Sequence, residues 1–405
     1  MVNKNLLSVK EAINEIVNNL QVLQSEDIEL TNALGRTNAS KIISKLNNPP
    51  QDVSSMDGYA VNSKIKFQNY KIIGESSAGN PYINSISDGE TVQIFTGAYL
   101  PKGADSVVIQ ENTKLKSKNF VYFKDDKVLK NRHIRKKGLD FKVGDMILDK
   151  NNIIKSRDIS TIAMSGNFWL NVRIKPTIGI LSTGDEIEKV GELLNKNKIP
   201  SGNNIMLAAM IKIFGGTPRI LPISKDNKKS IKKIIESNLD CNLLISTGGA
   251  SVGKYDYLSQ FFNKKQVFTS FDFWKIAMRP GKPLIFGKIQ NTPLLGIPGN
   301  PVSAGVCSLI FLRAAIRKML GLKNFFPDIY EGVTTSDIDE NDNRMDFIRS
   351  TLKINSKNFV SPFVKQDSSM TNIFSKSNCL IIRKPFQKKS TAGDIVHFIK
   401  YPDFY

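Results

Sequence analysis

Three glycine-containing segments of the sequence have the residue types of loops that bind phosphate groups. They lie at residues 180–186, 244–253 and 296–304, and each begins with a short apolar run. Glycine lets backbone N–H groups approach an anion without an intervening side chain, and a helix N-terminus adds positive potential. One such loop can simply close a turn, whereas three loops at one edge of a sheet predict a phosphate-bearing ligand. The candidate ligand-binding residues in these loops are Thr183, Gly184, Gly248, Gly249, Ser251, Gly253, Pro298, Gly299, Asn300, Pro301 and Ser303.

Carboxylate side chains accompany the first two loops. Asp185 and Glu186 end the first loop, and Asp256 follows the second. Carboxylates beside phosphate groups are the usual arrangement for Mg²⁺, a hard cation that keeps several of its waters. We therefore expect Glu186, Asp185 and Asp256 to be magnesium ligands. Asp226 precedes a predicted helix and serves either as an N-cap or as a site contact, and the sequence leaves both interpretations open.

A basic segment at residues 274–283 brings three cations, Lys275, Arg279 and Lys282, into a short loop. A run of charges is usually just a solvated face. Here two prolines and a glycine restrict the backbone geometry, which favours a defined arrangement of the cations. We interpret the loop as a clamp for an anion.

The sequence has few of the cysteine and histidine residues that other classes of site need. Cys241, Cys307 and Cys379 lie far apart and form no CxxC pair, which argues against disulfides and a zinc cluster. His133 and His397 are the two histidines of the chain, so a histidine-based metal site or a Ser-His-Asp triad is also disfavoured.

The chain is strongly basic, with 57 Lys and Arg against 37 Asp and Glu and a formal net charge of +20. Such a field attracts phosphates, nucleic acids or anionic lipids. The lysines are spread among Asn and Ile residues, which indicates that the charge mainly reflects the overall composition of a solvated surface. We expect one local anion-binding site within this basic surface. The basic runs lack interleaved aromatic residues, so we expect no nucleic-acid partner.

Membrane association is not expected either. The sequence contains no run of 18 apolar residues, and the N-terminus lacks the apolar region of a signal peptide. We expect a cytoplasmic protein.

The elements that must position the three loops form the most regular part of the sequence. Short apolar runs predict strands at 177–182, 219–223, 242–246, 267–271, 284–286 and 294–297. Amphipathic patterns predict helices between them at 205–214, 228–239, 258–262 and 302–320. This alternation predicts a doubly wound, mainly parallel α/β sheet, whose ligands bind beyond the carboxyl ends of the strands.

The flanking sequence has a different texture. Ser8 to Glu11 reads as a capping box that opens an amphipathic helix, and a second helical pattern lies within 151–166. Short β-type runs fill the region between these two helices, and similar runs fill the C-terminal part of the chain. We predict a discontinuous N-terminal helical and extended domain (1–55 and 141–172), a β-rich insert (56–140), the α/β domain (173–325) and a C-terminal β-barrel, with a sandwich as its alternative (326–405).

Six ordered motifs together resemble one enzyme family. They are Ser-Met-Asp-Gly-Tyr-Ala at 55–60, Thr-Gly at 96–97, Ser-Thr-Gly-Asp-Glu at 182–186, Gly-Gly-Ala-Ser-Val-Gly at 248–253, Arg-Pro-Gly-Lys-Pro at 279–283 and Pro-Gly-Asn-Pro-Val-Ser at 298–303. The chain resembles the molybdopterin molybdenumtransferases, which include MoeA of bacteria and the E domain of gephyrin.

The resemblance implies a reaction, partners and a fuller site. Adenylylated molybdopterin and molybdate would give molybdenum cofactor and AMP with Mg²⁺, in an elongated four-domain homodimer. The molybdopterin adenylyltransferase and molybdoenzymes are implied as further partners. By motif, Asp256, Lys275 and Arg279 would act beside Glu186, and residues from the two ends of the chain would complete the site. From the N-terminal half these residues are Asp57, Thr96, Arg135 and Asp140, which would complete a site shared across the dimer interface. From the C-terminal domain, Arg344 and Ser368 would approach molybdate.

The sequence departs from the family pattern at a few positions. Arg279 stands where Lys is frequent, Thr247 where Ser is common, and the Asp367-Ser368-Ser369 segment replaces Gly-Ser-Gly. Two alternative functions share part of this pattern. An adenylyltransferase would share the α/β domain but lack the long N- and C-terminal additions, and a scaffold of the gephyrin type would carry a long linker or a fused partner domain.

Overall fold

The computed structural model describes residues 6–124, 128–193, 196–225, 227–248 and 271–403. The chain divides into two compact units, one made of Met1–Glu26 with Arg173–Tyr405 and the other of Asp27–Val172. The boundaries fall within strands β1 (Ser25–Glu29) and β12 (Trp169–Arg173). Among the described residues, no helix combines the length and the apolar character needed to cross a membrane.

The unit Asp27–Val172 contains a curled six-stranded sheet. Its strands are β4 (Gly58–Val61), β5 (Asn69–Ser76), β6 (Glu90–Ile94), β7 (Ser106–Ile109), β8 (Thr113–Ser117) and β9 (Phe120–Phe123), in the spatial order β7-β4-β6-β5-β9-β8. Tyr59, Tyr70 and Phe123 are buried on one face, where the rings of Tyr70 and Phe123 stack at 4.5 Å. Burial of these large rings gives the small sheet its core and confirms the predicted β-rich insert.

The rest of this unit combines short strands with one helix. The elements are β2 (Ile42–Ile43), β3 (Val53–Ser54), β10 (Ile134–Arg135), β11 (Met146–Leu148), α2 (Ser156–Met164) and the 3₁₀ turns Leu30–Asn32 and Gln110–Asn112. β2 pairs with β11 and β3 with β10, both antiparallel. Ile162 of α2 packs in a core with Leu30, Ile42 and Ile154. The apolar face of α2 that the helical pattern predicted is therefore buried in this core.

The second unit is built around a mixed six-stranded sheet. Its strands are β13 (Thr177–Ser182), β16 (Thr217–Ile220), β17 (Leu243–Thr247), β18 (Phe271–Lys275), β20 (Pro283–Ile289) and β21 (Thr292–Ile297), in the order β16-β13-β17-β21-β20-β18. The first four strands of this order are parallel, and β20 and β18 run antiparallel at one edge. Helices α3 (Gly202–Ile213) and α4 (Lys228–Glu236) belong to the same domain, as does a small parallel pair, β14 (Ile187–Glu188) with β15 (Ile199–Pro200). The predicted α/β fold class is confirmed.

The predicted helix over 302–320 is helical but not uniform. It consists of α5 (Pro301–Cys307), a π-helical turn (Ser308–Leu312) and α6 (Arg313–Met319). Such a turn widens the helix locally, a change that the apolar periodicity does not reveal. The helix predicted at 258–262 and the first residues of the strand at 267–271 lie outside the described residues.

The N-terminal helix α1 (Val9–Asn18) packs in the core of this second unit. Its capping box is present: the Ser8 N–H donates to the Glu11 carboxylate at 2.8 Å, and the Glu11 N–H donates to Ser8 Oγ at 3.2 Å. Val9, Ile13 and Ile16 are buried in the same cluster as residues of α6. The four domain boundaries stay a prediction, and α1 shares its core with the α/β elements.

The C-terminal domain is a closed five-stranded barrel, which confirms the barrel prediction. Its strands are β22 (Ile329–Thr334), β23 (Met345–Ile354), β24 (Asn358–Pro362), β25 (Cys379–Arg383) and β26 (Ile395–Lys400), with helix α7 (Thr371–Lys376). Pairing of β23 with both β24 and β25 closes the ring. The short strand β19 (Met278–Arg279) adds to β23 from the α/β part of the chain.

Candidate functional site

The carboxyl ends of the parallel strands β13, β17 and β21 meet at one edge of the sheet. Ser182 lies opposite Thr247, and Thr247 lies opposite Ile297. The residues that follow each strand are those of the three predicted loops. The register therefore brings the described parts of these loops together, as the sequence predicted.

A cavity of about 930 Å³ opens at this edge. The α/β domain supplies one wall and the C-terminal domain supplies the other. The α/β wall consists of Ser182, Thr183, Glu186, Ile187, Ile199, Pro200, Ser201, Gly202, Asn203, Met206, Met210, Thr247, Gly248, Gly299, Asn300 and Pro301. The C-terminal wall consists of Ser369, Thr371, Phe374, Ser375, Ser377 and Tyr401. The volume lies within the usual range for a small-molecule pocket.

The glycines of these loops permit close backbone contacts. Gly248 has φ +89°, and a Cβ placed there would lie 2.6 Å from the carbonyl oxygen of Thr183. A Cβ at Gly184 would lie 2.7 Å from the carboxylate of Glu186. A side chain at Gly248 would therefore force the backbone to move, whereas at Gly184 the Glu186 side chain can rotate and the φ of +145° is what favours glycine.

Buried hydroxyl groups face the same region. Ser182 is 3% and Thr183 is 4% exposed, and neither hydroxyl has a hydrogen-bond partner among the described residues. The Oγ of Ser246 and the Oδ1 of Asn204 share this property. Because buried polar groups in folded proteins are normally hydrogen-bonded, the two of these hydroxyls that line the cavity, those of Ser182 and Thr183, indicate a place for a polar ligand or ordered water.

Side-chain amides connect the loops. Asn203 Nδ2 donates to Thr247 Oγ1 at 2.9 Å and to the Gly299 carbonyl at 2.7 Å. Asn300 Nδ2 donates to Ser368 Oγ at 2.8 Å, and the Val302 N–H donates to the Ser368 carbonyl. Ser368, a predicted site residue from the C-terminal domain, thus lies against the loop that begins α5.

The predicted carboxylates have separate surroundings. Glu186 and Asp185 are both exposed, but only Glu186 lines the cavity, and the Asp185 carbonyl accepts a hydrogen bond from Lys198 Nζ. In the part of the chain that the structure describes, no group of three His, Cys, Asp or Glu residues is placed to hold a metal ion. The predicted residues Asp226, Gly249, Ser251, Gly253 and Asp256 lie outside the described residues.

The basic loop stands apart from the cavity lining, which includes none of Lys275, Arg279 and Lys282. Lys275 and Lys282 are exposed at the surface. Arg279 donates from Nε to Asp346 Oδ1 at 2.9 Å and from Nη2 to Asp346 Oδ2. This pairing raises the pKa of Arg279. The structure therefore gives Arg279 a carboxylate partner within the protein.

Three further predicted site residues are either buried or hydrogen-bonded within the protein. Pro298 and Ser303 are buried behind the loop that begins α5. Arg344 donates to both carboxylate oxygens of Asp342, and this bond lowers the pKa of Asp342 to about 2. The guanidinium of Arg344 is thus held by a neighbouring side chain.

In the unit Asp27–Val172, two of the predicted residues contact each other. Thr96 donates to Asp57 Oδ1 from its backbone N–H at 2.7 Å and from its hydroxyl at 2.9 Å. Asp140 accepts a hydrogen bond from Asn48 Nδ2 at 3.1 Å, and the exposed Arg135 lies on β10. Three carboxylate and hydroxyl side chains of this unit are therefore held in place locally.

Comparison with known proteins decides the family. Family models match three consecutive parts of the chain: the MoeA N-terminal region (domain I and II) at residues 7–166, a probable molybdopterin binding domain at 179–318 and the MoeA C-terminal region (domain IV) at 331–401. A molybdopterin molybdenumtransferase of Haemophilus influenzae is 32% identical over 379 residues, which cover 92% of this chain and 93% of that protein. The chain belongs to the molybdopterin molybdenumtransferase family.

Further relatives of the molybdopterin molybdenumtransferase family agree over nearly the whole length. A molybdopterin molybdenumtransferase of Staphylococcus aureus (strain COL) is 29% identical, with 98% of this chain and 96% of that protein covered. The crystal structure of the molybdopterin biosynthesis moeA protein from Pyrococcus horikoshii OT3 matches with a TM-score of 0.84 at 25% identity, over 98% of this chain and 100% of the other. The match includes the N- and C-terminal parts that an adenylyltransferase lacks.

Several cavity residues of this family member were missed by the sequence interpretation. Met206 and Met210 are apolar positions of α3, Phe374 lies on α7, and Tyr401 directly follows β26, none of them within a motif. Their only sequence signal is apolar character, which does not separate a cavity wall from a core.

Arg349 was also missed. It is 1% exposed, and it donates to Gln366 Oε1 at 3.2 Å and to the Asp367 carbonyl at 2.9 Å. Burial lowers its pKa. Arg349 thereby holds the segment that carries Ser368 and Ser369 toward the cavity.

Proposed function

We propose that this chain inserts molybdenum from molybdate into adenylylated molybdopterin and releases AMP. The observation that carries the proposal is the family relationship over 92% of the chain, with the described residues of the three loops lining one cavity. The adenylyltransferase and scaffold alternatives are not favoured, because the relatives that cover the whole chain are named molybdenumtransferases.

The two sides of the cavity suit different parts of such a substrate. Gly248, Gly299 and the buried hydroxyls of Ser182 and Thr183 offer polar groups to a pyrophosphate. Met206, Met210, Phe374 and Tyr401 offer apolar surface to a planar ring.

The donor set at the cavity fits Mg²⁺, which binds through one or two carboxylates together with substrate phosphates and water. Glu186 would hold the ion at the cavity, with Asp185 next to it in the chain and with Asp256 as a motif-based candidate. When bound, Mg²⁺ would polarise the phosphoanhydride of the substrate.

The residues of the chain itself have mainly binding roles in this proposal. The loops would orient the pyrophosphate. Lys275 stays a motif-based candidate for the oxyanion, since it does not line the cavity. The dithiolene sulfurs of the substrate itself would take the molybdenum. Asp57, Thr96 and Asp140 stay predicted participants.

We also propose a homodimer, supported by an exposed apolar patch on the unit Asp27–Val172. Ile43, Leu46, Val143 and Met146 are 39–60% exposed. Met146 pairs with Ile43 across two strands, Val143 donates its N–H to Asn47, and Leu46 packs beside Gly166. Clustered exposed apolar side chains are typical of protein interfaces.

The cytoplasmic location stays a prediction.

The proposed reaction is tested by incubating the purified protein with adenylylated molybdopterin, molybdate and Mg²⁺ and measuring AMP by chromatography. We expect AMP release that requires both molybdate and Mg²⁺. AMP release without molybdate would indicate simple hydrolysis, and the absence of AMP under all conditions would contradict the proposed function.

A further inference from the structure

Asn203 lies in the first turn of α3 and lines the cavity, where its side chain is half-buried. The helix that carries it is fixed to the α/β core, because Leu207 and Ile211 are completely buried there. A side chain on a rigid helix holds a more exact position than one on a loop. The Asn203 amide is therefore a fixed point beside the glycine-containing loops.

The amide nitrogen of Asn203 contacts two of these loops at once. It donates to Thr247 Oγ1 at 2.9 Å, at the end of β17, and to the Gly299 carbonyl at 2.7 Å, in the loop that precedes α5. A carbonyl can only accept, so the contact with Gly299 fixes which end of the amide faces that loop. A side-chain amide nitrogen carries two hydrogens, and these two bonds use both of them.

The second and third loops lie against each other where Asn203 holds them. A Cβ placed at Gly299 would lie 3.4 Å from the Cα of Gly248, so there is room for no more than one carbon atom between the two backbones. The next residue of the third loop, Asn300, donates to Ser368 Oγ at 2.8 Å. The third loop is therefore held both by α3 and by the C-terminal segment.

The buried hydroxyl groups at this strand edge divide into two kinds. Thr247 is 4% exposed, and its hydroxyl accepts the hydrogen bond from Asn203. The hydroxyls of Ser182 and Thr183 also lie at the cavity, and they have no partner among the described residues. Buried polar groups are normally satisfied, so this division gives Thr247 a structural role and leaves the other two hydroxyls to a ligand or water.

We propose that Asn203 is a positioning residue, which fixes the spacing of the second and third loops so that they can receive the pyrophosphate of the substrate. It acts through Thr247 and Gly299 and not by donating to the ligand. For its activity readout this proposal rests on the proposed function. Without the amide, the two loops lose the bonds that hold them ready, and part of the binding free energy is then spent on ordering them.

The test compares the variants Asn203→Ala, Thr247→Val and their combination. Asn203→Ala removes both hydrogen bonds, whereas Thr247→Val removes one of them and keeps the shape of the buried side chain. We expect the KM for the adenylylated substrate to rise about tenfold in Asn203→Ala and about threefold in Thr247→Val, with kcat within about twofold of the wild-type value, because the loss lies in binding. The double variant should be no worse than Asn203→Ala, since contacting residues are coupled and not additive. Thr247→Ser, which keeps the hydroxyl, should retain more affinity than Thr247→Val.

A second readout is independent of the reaction. Hydrogen exchange, followed by mass spectrometry without substrate, should become faster in the peptides that contain Thr247 and Gly299 when Asn203 is replaced by Ala. If the wild type releases no AMP, the proposed function fails, and the exchange measurement still decides the positioning role.

The matched control is Asn238 of the same domain. It is also half-buried, and its Nδ2 donates to the Ile234 carbonyl at 2.9 Å, but it does not line the cavity. Asn238→Ala should change neither the KM nor the exchange of the two peptides. Two results would overturn the proposal. One is unchanged hydrogen exchange in Asn203→Ala, which would leave a direct contact with the ligand as the cause of any rise in KM, and the other is a KM that Asn203→Ala leaves at the wild-type value.

Discussion

At the residue scale, the cavity combines a carboxylate with buried hydroxyl groups that lack partners in the described structure. Glu186 lines the cavity, and the hydroxyls of Ser182 and Thr183 lie at the adjoining strand end. Leaving buried polar groups unpaired costs free energy, so such groups are retained where a ligand or water can satisfy them. The chemistry of the site thus depends on a few polar atoms at one strand end.

Removing the Glu186 carboxylate tests its role directly. We expect Glu186→Ala to lower Mg²⁺-dependent AMP release by roughly a hundredfold or more, because preorganised charge stabilisation of this kind is worth about that much. The measurement is AMP release across a range of Mg²⁺ concentrations, with circular dichroism to check folding. The control is Glu188→Ala, two positions along the same segment but outside the cavity lining. Wild-type turnover in Glu186→Ala would remove this residue from the metal site.

Gly248 should be sensitive to substitution for a steric reason. Gly248→Ala places a Cβ 2.6 Å from the Thr183 carbonyl, whereas Gly393→Ala at φ +99° meets nothing within 4 Å. Both variants carry the left-handed backbone penalty of about 1 kcal/mol, and the close contact adds about 1–3 kcal/mol at Gly248. Urea unfolding of the two variants measures this difference. Equal losses of unfolding free energy would show that the loop adjusts without strain.

At the element scale, a side chain from a barrel strand fixes the position of a loop of the C-terminal domain. Arg349 on β23 bonds Gln366 and the Asp367 carbonyl, and Ser368 then contacts Asn300 at the start of α5. A strand of the barrel therefore positions a segment that faces the α/β loops. The buried guanidinium makes this connection rigid, since its hydrogen bonds lie away from water.

Replacing Arg349 by Met should loosen that segment. The change keeps much of the buried volume but removes the donors to Gln366 and Asp367, at a cost of about 3 kcal/mol for charge-assisted hydrogen bonds. We expect a lower free energy of unfolding and a higher KM for the adenylylated substrate. Steady-state kinetics and urea unfolding check both effects, with Arg219→Met at an exposed arginine as the control. An unchanged KM would show that the segment is held by other contacts.

At the scale of the whole molecule, the apolar patch at Ile43, Leu46, Val143 and Met146 predicts self-association. We expect the wild type to be a dimer and Leu46→Arg with Met146→Arg to be a monomer, because burying two unpaired charges in an interface is unfavourable. Light scattering measures the mass of each form. Ile83→Arg, at a residue 80% exposed elsewhere in the same unit, serves as the control. A monomer that keeps full AMP release would contradict a site shared between subunits.

The sequence by itself determined the α/β fold class, the capping box of α1 and the three glycine loops. Strand and helix periodicity, caps and glycine turns depend on neighbouring residues, and the parallel register brings the loop ends together without further information. Only the tertiary structure decided which C-terminal residues line the cavity and what Arg279 contacts. Asp346 is 67 positions away from Arg279, and no local spacing records which strands become neighbours. The parallel pairing of β19 with β23 places Arg279 beside Asp346, because side chains opposite each other in parallel strands share one face of the sheet.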